Sequence, residues 1–194
     1  MTTQRVRLDQ INAVGRYVFD MAGATPADGT GSGNNPPVMN VLVSTGTQPT
    51  NGPKLTLIEW LFPITTDSHV MWAFNMPSDY NSAPVLKGIL YNKTVQAGGV
   101  KNFQVKAALA AVTPGEDVPA KVFPAPDTQT VVLASNQAAG VSVAFSIALS
   151  ATAQNSVAGD DAVVLFIGRD ADHASDTAAG NLALVGLVME YTRQ

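Results

Sequence analysis

Apolar residues recur along this chain at every second position rather than with a helical period. The clearest case runs from Val141 to Ser150, where Val141, Val143, Phe145, Ile147 and Leu149 alternate with serine and alanine. Val70, Trp72 and Phe74 repeat the pattern, as do Phe103, Val105, Ala107 and Leu109. Period two places one set on each face of a pleated strand. Strands are expected near Arg16–Asp20, Val38–Thr45, Leu55–Phe62, His69–Asn75 and Val85–Asn92. The second half adds Phe103–Ala110, Thr128–Leu133, Val141–Ser150, Ala162–Gly168 and Ala183–Tyr191. Turn chemistry separates them: Asn51-Gly52-Pro53, Met76-Pro77-Ser78-Asp79, Ala97-Gly98-Gly99, Pro114-Gly115 and Val157-Ala158-Gly159-Asp160. Short, regularly spaced strands of this kind make a sandwich or barrel.

Two segments are apolar on both faces. In Leu55–Phe62, the row Ile58, Trp60, Phe62 is backed by Leu55, Leu57 and Leu61. In the other, Val163, Leu165 and Ile167 are backed by Val164 and Phe166. A two-sheet sandwich buries one face of each strand. The second face needs a cover, supplied either by a loop of the same chain or by a neighbouring subunit.

Three stretches lack a strand pattern. Ala22 to Pro37, with Gly29, Gly31, Gly33 and Asn34-Asn35-Pro36-Pro37, reads as a flexible loop. Ala111 to Asp127 carries four prolines, at 114, 119, 124 and 126, and reads as a stiffer one. Arg169 to Asn181, rich in Asp and Ala, has room for a helical turn. No internal repeat or linker interrupts the chain. The expected organisation is an N-terminal arm, residues 1–15, followed by one domain, residues 16–194. The fold class is all-β, a single jelly-roll-like antiparallel β-sandwich with long loops.

Composition sharpens this picture. Charged residues make up 13% of the 194 residues, about half the ordinary share, and hydrophobic ones 46%. Part of so uncharged a surface is expected to face another subunit. The net charge of −4 argues against nucleic acid as a partner. No apolar run nears the length of a membrane helix, and residues 1–10 lack the apolar core of a secretory signal. Cysteine is absent, which removes disulfide and thiol chemistry and suits synthesis in a reducing cytoplasm. Three of the five arginines, Arg5, Arg7 and Arg16, fall in the first sixteen residues. These are the candidate contact with a larger particle, in an arm able to order on binding.

Catalytic patterns are sparse. The two histidines, His69 and His173, have no metal-ligand spacing, and each is read as solvated. No G-x-S-x-G elbow occurs, and Gly29, Gly31 and Gly33 fit neither phosphate-loop pattern. Asp160, Asp161, Asp170, Asp172 and Asp176 could supply oxygen ligands to Ca²⁺, but they lack the EF-hand spacing and suit turns and caps better. Glu59 and Glu190 would need to face one cleft to act as a glycosidase pair. Trp60, Trp72, Phe62, Phe74, Tyr80 and Tyr91 serve either the core or, on an exposed sheet face, a glycan. No catalytic residue, cofactor or metal is assigned.

Several blocks together carry a resemblance. Val70 to Tyr80 is a strand ending in Pro-x-Asp-Tyr; Leu86 to Tyr91 and Gly98-Gly99 lead into Phe103 to Ala107. Near the end come Val163 to Asp170, Asp176 to Gly180, and Leu184 to Tyr191. This order, from Leu55 to Tyr191, resembles jelly-roll structural proteins of tailed bacteriophages, of the capsid decoration (cement) or fibre-head type. The resemblance implies a homotrimeric virion protein without catalysis, made in the host cytoplasm, bound to the major capsid protein and to itself. The rival expectation is a receptor- or glycan-binding fibre-head module.

Overall fold

A computed structural model describes residues 14–27 and 36–194. Among these residues, eleven strands form two antiparallel sheets packed face to face. The six-stranded sheet holds β1 (Val14–Val18), β3 (Val38–Val43), β4 (Thr56–Phe62), β6 (Tyr80–Asn92), β9 (Ser142–Ala148) and β11 (Leu182–Arg193). Its path is β3-β4-β11-β6-β9. Since β6 runs along one side of β11, β1 and β4 share the other. β4 pairs with Leu182–Leu184 and β1 with Val14–Val18 against Val188–Thr192. The five-stranded sheet holds β2 (Thr25–Ala27), β5 (Ser68–Asn75), β10 (Ala162–Arg169), β7 (Lys101–Val112) and β8 (Asp127–Leu133), in that spatial order. The chain is therefore an all-β, jelly-roll-like antiparallel sandwich.

All ten expected strands exist, several of them longer than their pattern suggests. The eleventh, β2, lies inside the expected loop Ala22–Pro37, where Thr25–Ala27 pairs with Met71, Val70 and His69. It carries Pro26 at a sheet edge, and its three residues are too short to show a period. Just before it, Asp20 caps a 3₁₀ turn at Met21–Gly23 by accepting from the Ala22 N–H at 3.0 Å. The indole N–H groups of Trp60 and Trp72 donate to the carbonyls of Met21 and Asp20, at 2.8 and 2.7 Å. Both tryptophans thus fasten this turn to the core. A second correction concerns Arg169–Asn181, which holds turns rather than a helix. The expected arm 1–15 overlaps β1, which begins at Val14; Arg5, Arg7 and the Gly29–Gly33 segment lie outside the described residues.

The core forms where the alternating rows of both sheets meet. Leu86, Leu90, Leu184, Phe145 and Met189 from one sheet face Val70, Trp72, Phe103, Leu109 and Leu165 from the other, all buried. The two doubly apolar segments have different outcomes. The outer face of β10 is covered within the chain: Phe123, from the proline-rich loop, sets its ring edge-on against Phe166 at 4.8 Å. The outer row of β4 is uncovered in its first half, where Leu55 and Leu57 are exposed.

Candidate functional site

Two surfaces stand out. The first is the ribbon formed by β3 and the start of β4. Their register runs from Val38–Leu61 to Val43–Thr56 and continues through the Ser44 N–H, which donates to Leu55. β11 supports β4 only at Trp60, Leu61 and Phe62. The far half of the ribbon therefore extends past the sandwich. Val41, Val43, Leu55 and Leu57 are exposed there, and Val38 and Met39 are exposed on β3 beside the supported half, so the ribbon is bare on both faces. No charged residue occurs between Gly29 and Pro53. A ribbon of this composition, 39 to 62% exposed at those six side chains, leaves an apolar area that water does not favour.

The second surface is an open groove of about 810 Å³, lined by β1, β6, β9 and β11 and by Gln129–Val132 of β8. Arg16, Lys87 and Ser146 supply polar groups; Val18, Ile89 and Val188 supply apolar ones. Arg16 faces Glu190 in the β1–β11 register, and Lys87 donates to Glu190 at 2.5 Å. The hydrogen bond from Lys87, with the charges of Lys87 and Arg16, holds the Glu190 carboxyl below its ordinary range. Of the three arginines expected to form the particle contact, Arg16 thus lines this groove. The sequence does not reveal it, because Lys87 lies 71 positions from Arg16 and only strand register unites them.

Glu59 lies on the outward side of the same sheet, yet it is fully buried. Its carboxylate accepts from Asn40 at 2.7 Å, from Lys93 at 2.8 Å and from the Tyr91 hydroxyl. Burial alone would push this carboxyl up; the donors Lys93, Tyr91 and Asn40 outweigh it and hold the group below the ordinary range. Burial and the Glu59 charge push the Tyr91 hydroxyl up. Glu59 and Glu190 do not form a pair. Trp60 stands opposite Leu184, so at ~3.3 Å per residue the two acids are roughly 15 Å or more apart, against about 5–9.5 Å in a glycosidase.

The aspartates are tied into the structure. Asp176 receives a bidentate contact from Arg169, at 2.9 and 2.7 Å, with both side chains buried. Arg169 also donates to the carbonyls of Gly180 and Ala178 at 2.8 and 3.0 Å. Asp161 accepts from the Ala158 N–H at 2.8 Å, and Asp160 occupies a left-handed turn position. Asp170 and Asp172 meet Asp67, which the sequence pattern does not single out; one carboxylate oxygen of each lies within 4.8 Å of the others. Lys106 pairs with Asp67 and lies 3.4 Å from Asp170, so a cation already sits among them.

His69 corrects the expectation of a solvated histidine. Its ring stands edge-on to Phe166 at 5.1 Å, half-buried beside Lys106 and Asp67. Burial, then the Lys106 charge, lowers its pKa to about 4, against a weaker opposite pull from Asp67. His173 is exposed, its Nδ1 accepting from the Ser175 N–H at 3.0 Å. Of the singled-out aromatics, Trp60, Trp72, Phe62 and Tyr80 are buried in the core and Phe74 packs against Tyr17 and Phe19, whereas Tyr91 is buried beside Glu59 and Lys93 on the outward side.

The sequence matches no protein-family description and no curated protein. Among solved structures it is similar to a family 11 carbohydrate-binding module from Clostridium thermocellum, at 9% identity. That alignment covers 91% of this chain and 96% of the module, with a TM-score of 0.44. A cleaved adhesin domain (K1) of Lys-gingipain from Porphyromonas gingivalis aligns at 12% identity over 90% and 97%, with a TM-score of 0.45. The enzymatically active domain of tailspike protein 4 from bacteriophage CBA120 aligns at 9% identity over 88% of this chain and 19% of that one, with a TM-score of 0.38. Likenesses this distant decide neither ligand nor role, and the fold stands on the strand register itself.

Proposed function

We propose that this chain is a non-catalytic structural module that works by assembly. In finer terms it is a decoration protein that sits on the head shell of a tailed phage and stabilises it. The observation that carries the assembly reading is the exposed part of the β3–β4 ribbon, where uncharged β3 and the start of β4 show Val38, Met39, Val41, Val43, Leu55 and Leu57 with no cover among the described residues. Such a ribbon in free water costs hydration free energy that burial against a neighbour recovers, at about 25 cal/mol per Å². A protein that binds only the assembled shell raises the shell's stability by mass action. The resemblance of Leu55 to Tyr191 to phage jelly-roll proteins supports the finer reading. The test is to add the purified chain to undecorated phage head shells and follow bound mass by sedimentation and shell melting by calorimetry. Saturable binding with a raised melting temperature is expected; shells left bare at micromolar protein overturn the decoration reading.

A second reading, a glycan- or receptor-binding module, rests on the open groove. Arg16, Lys87, Gln129 and Ser146 offer polar and charged groups beside apolar Ile89 and Val188, a mixture that suits the polar rim and apolar faces of sugar rings. An oligosaccharide panel tests it: binding that disappears in a Lys87→Ala variant favours this reading, and no binding across the panel removes it.

A further inference from the structure

The exposed ribbon has a polarity that identifies its partner. Because the Ser44 N–H bonds to Leu55, the backbone groups of Ser44, Leu42 and Asn40 point toward β4 at period two. The N–H and C=O groups of Val43, Val41 and Met39 therefore point away, along an edge with no partner strand among the described residues. The side chains of the same three residues are exposed. This edge lacks the usual guards against pairing. Edge strand β2 carries Pro26 and β1 carries Arg16, but β3 reads Val-Met-Asn-Val-Leu-Val, with neither charge nor proline.

We infer that β3 pairs antiparallel with β3 of a second copy of this chain, about a two-fold axis at Val41. This proposal rests on the assembly reading and names its partner. Val41 would exchange both backbone hydrogen bonds with Val41 of the other copy, and Met39 would stand opposite Val43. The edge is self-complementary: its outward residues are apolar on either side of Val41, so turning it over presents the same chemistry. No like charges meet. The pairing would cover the open backbone edge of β3 and the flanks of Val38, Met39, Val41 and Val43, an area below the ~1,000 Å² of a stable interface and so of the size of a weak, reversible one. The pairing joins the two six-stranded sheets into one continuous sheet.

The test uses the full chain and substitutions at Val41, whose outward N–H and exposed side chain leave the intrachain ladder untouched. Light scattering of the parent should give twice 20.2 kDa or an even multiple of it. Val41→Lys and Val41→Asp should each fall apart, because like charges then oppose at the axis. An equimolar mixture of the two should recover the paired mass. Circular dichroism and melting of each variant confirm that the fold persists; if Val41→Lys is unfolded, the pair of double variants Met39→Lys/Val43→Lys and Met39→Asp/Val43→Asp gives the same readout, each alone setting like charges opposite one another and the mixture setting opposite ones. A monomeric parent at tens of micromolar, a threefold mass, or an oligomer indifferent to charge at 41 overturns the two-fold pairing. Binding of parent and Val41→Lys to head shells is measured separately. A chain that binds shells but never pairs through β3 refutes this inference and leaves the assembly reading standing; bare shells refute the decoration reading whatever the mass.

Discussion

Phe145 lies across Gly88, its partner on the neighbouring strand, so closely that a Cβ at Gly88 would fall 2.3 Å from the ring. The β6–β9 seam is built around this absence of a side chain. Gly88→Ala is expected to cost about 1–3 kcal/mol or more, as overpacking does. Phe145→Ala, which empties the space instead, should cost roughly 3–5 kcal/mol. The two share one volume, so chemical denaturation should show the double variant losing less than the sum of the singles.

Removing one partner from Glu59 exposes how that buried carboxylate is held. Lys93→Met leaves the Asn40 and Tyr91 contacts but takes away the positive charge. Stability should fall by roughly 2–4 kcal/mol, somewhat under the ~3–5 of a fully buried pair, because the Lys93 side chain is 30% exposed. Adding Glu59→Gln to Lys93→Met should recover part of the loss. Urea titration of the three variants reads this directly.

Asp176→Ala should be among the most damaging surface-loop substitutions, at roughly 3–5 kcal/mol, since it strands the Arg169 guanidinium at 1% exposure. The loop 170–181 should loosen before the rest of the molecule. Hydrogen exchange at the amides of Thr177 and Ala178, both of which donate to the Asn102 carbonyl, should accelerate first.

His69 makes stability depend on pH. The folded state lowers its pKa to about 4, so the unfolded chain binds the extra proton between about 4 and its ordinary 6.5. Unfolding is therefore favoured as pH falls through that window, and the His69 contribution is complete above it. Lys106, Asp67 and the Phe166 ring face the imidazole. Comparing melting temperatures of the parent and His69→Gln from pH 7 to pH 4 isolates this slope from that of the carboxylates. The variant should show the shallower decline.

The strands were legible because their reporters lie in the strands themselves. Val141 to Leu149 alternates, and Phe145 is buried as the alternation requires. What lay beyond reach is what register creates. Asp67 gave no signal because its neighbours Lys106, Asp170 and Asp172 come from other elements. Arg16 opens an expected strand, but its place beside Glu190 comes from the β1–β11 register, which no local pattern records. His69, at the start of an expected strand, reads as solvated because the Phe166 ring that stands against it comes from β10. The doubly apolar segments raised a question that composition alone does not answer. A loop phenylalanine covers one, and the other leaves Leu55 and Leu57 bare.

The order of strands has a consequence for how the molecule is made. β11 joins β6 to β1 and β4, and β10 joins β5 to β7, so among the described strands the central members of both sheets are made after all their partners. Until Ala162 to Arg193 has left the ribosome, neither sheet can close, and the earlier strands carry unpaired edges. Folding must wait for the late strands to insert between early ones, a non-local step of the kind that makes β-proteins slow. Nascent chains lacking β10 and β11 should therefore need chaperone shelter, and their release should trigger closure of both layers together.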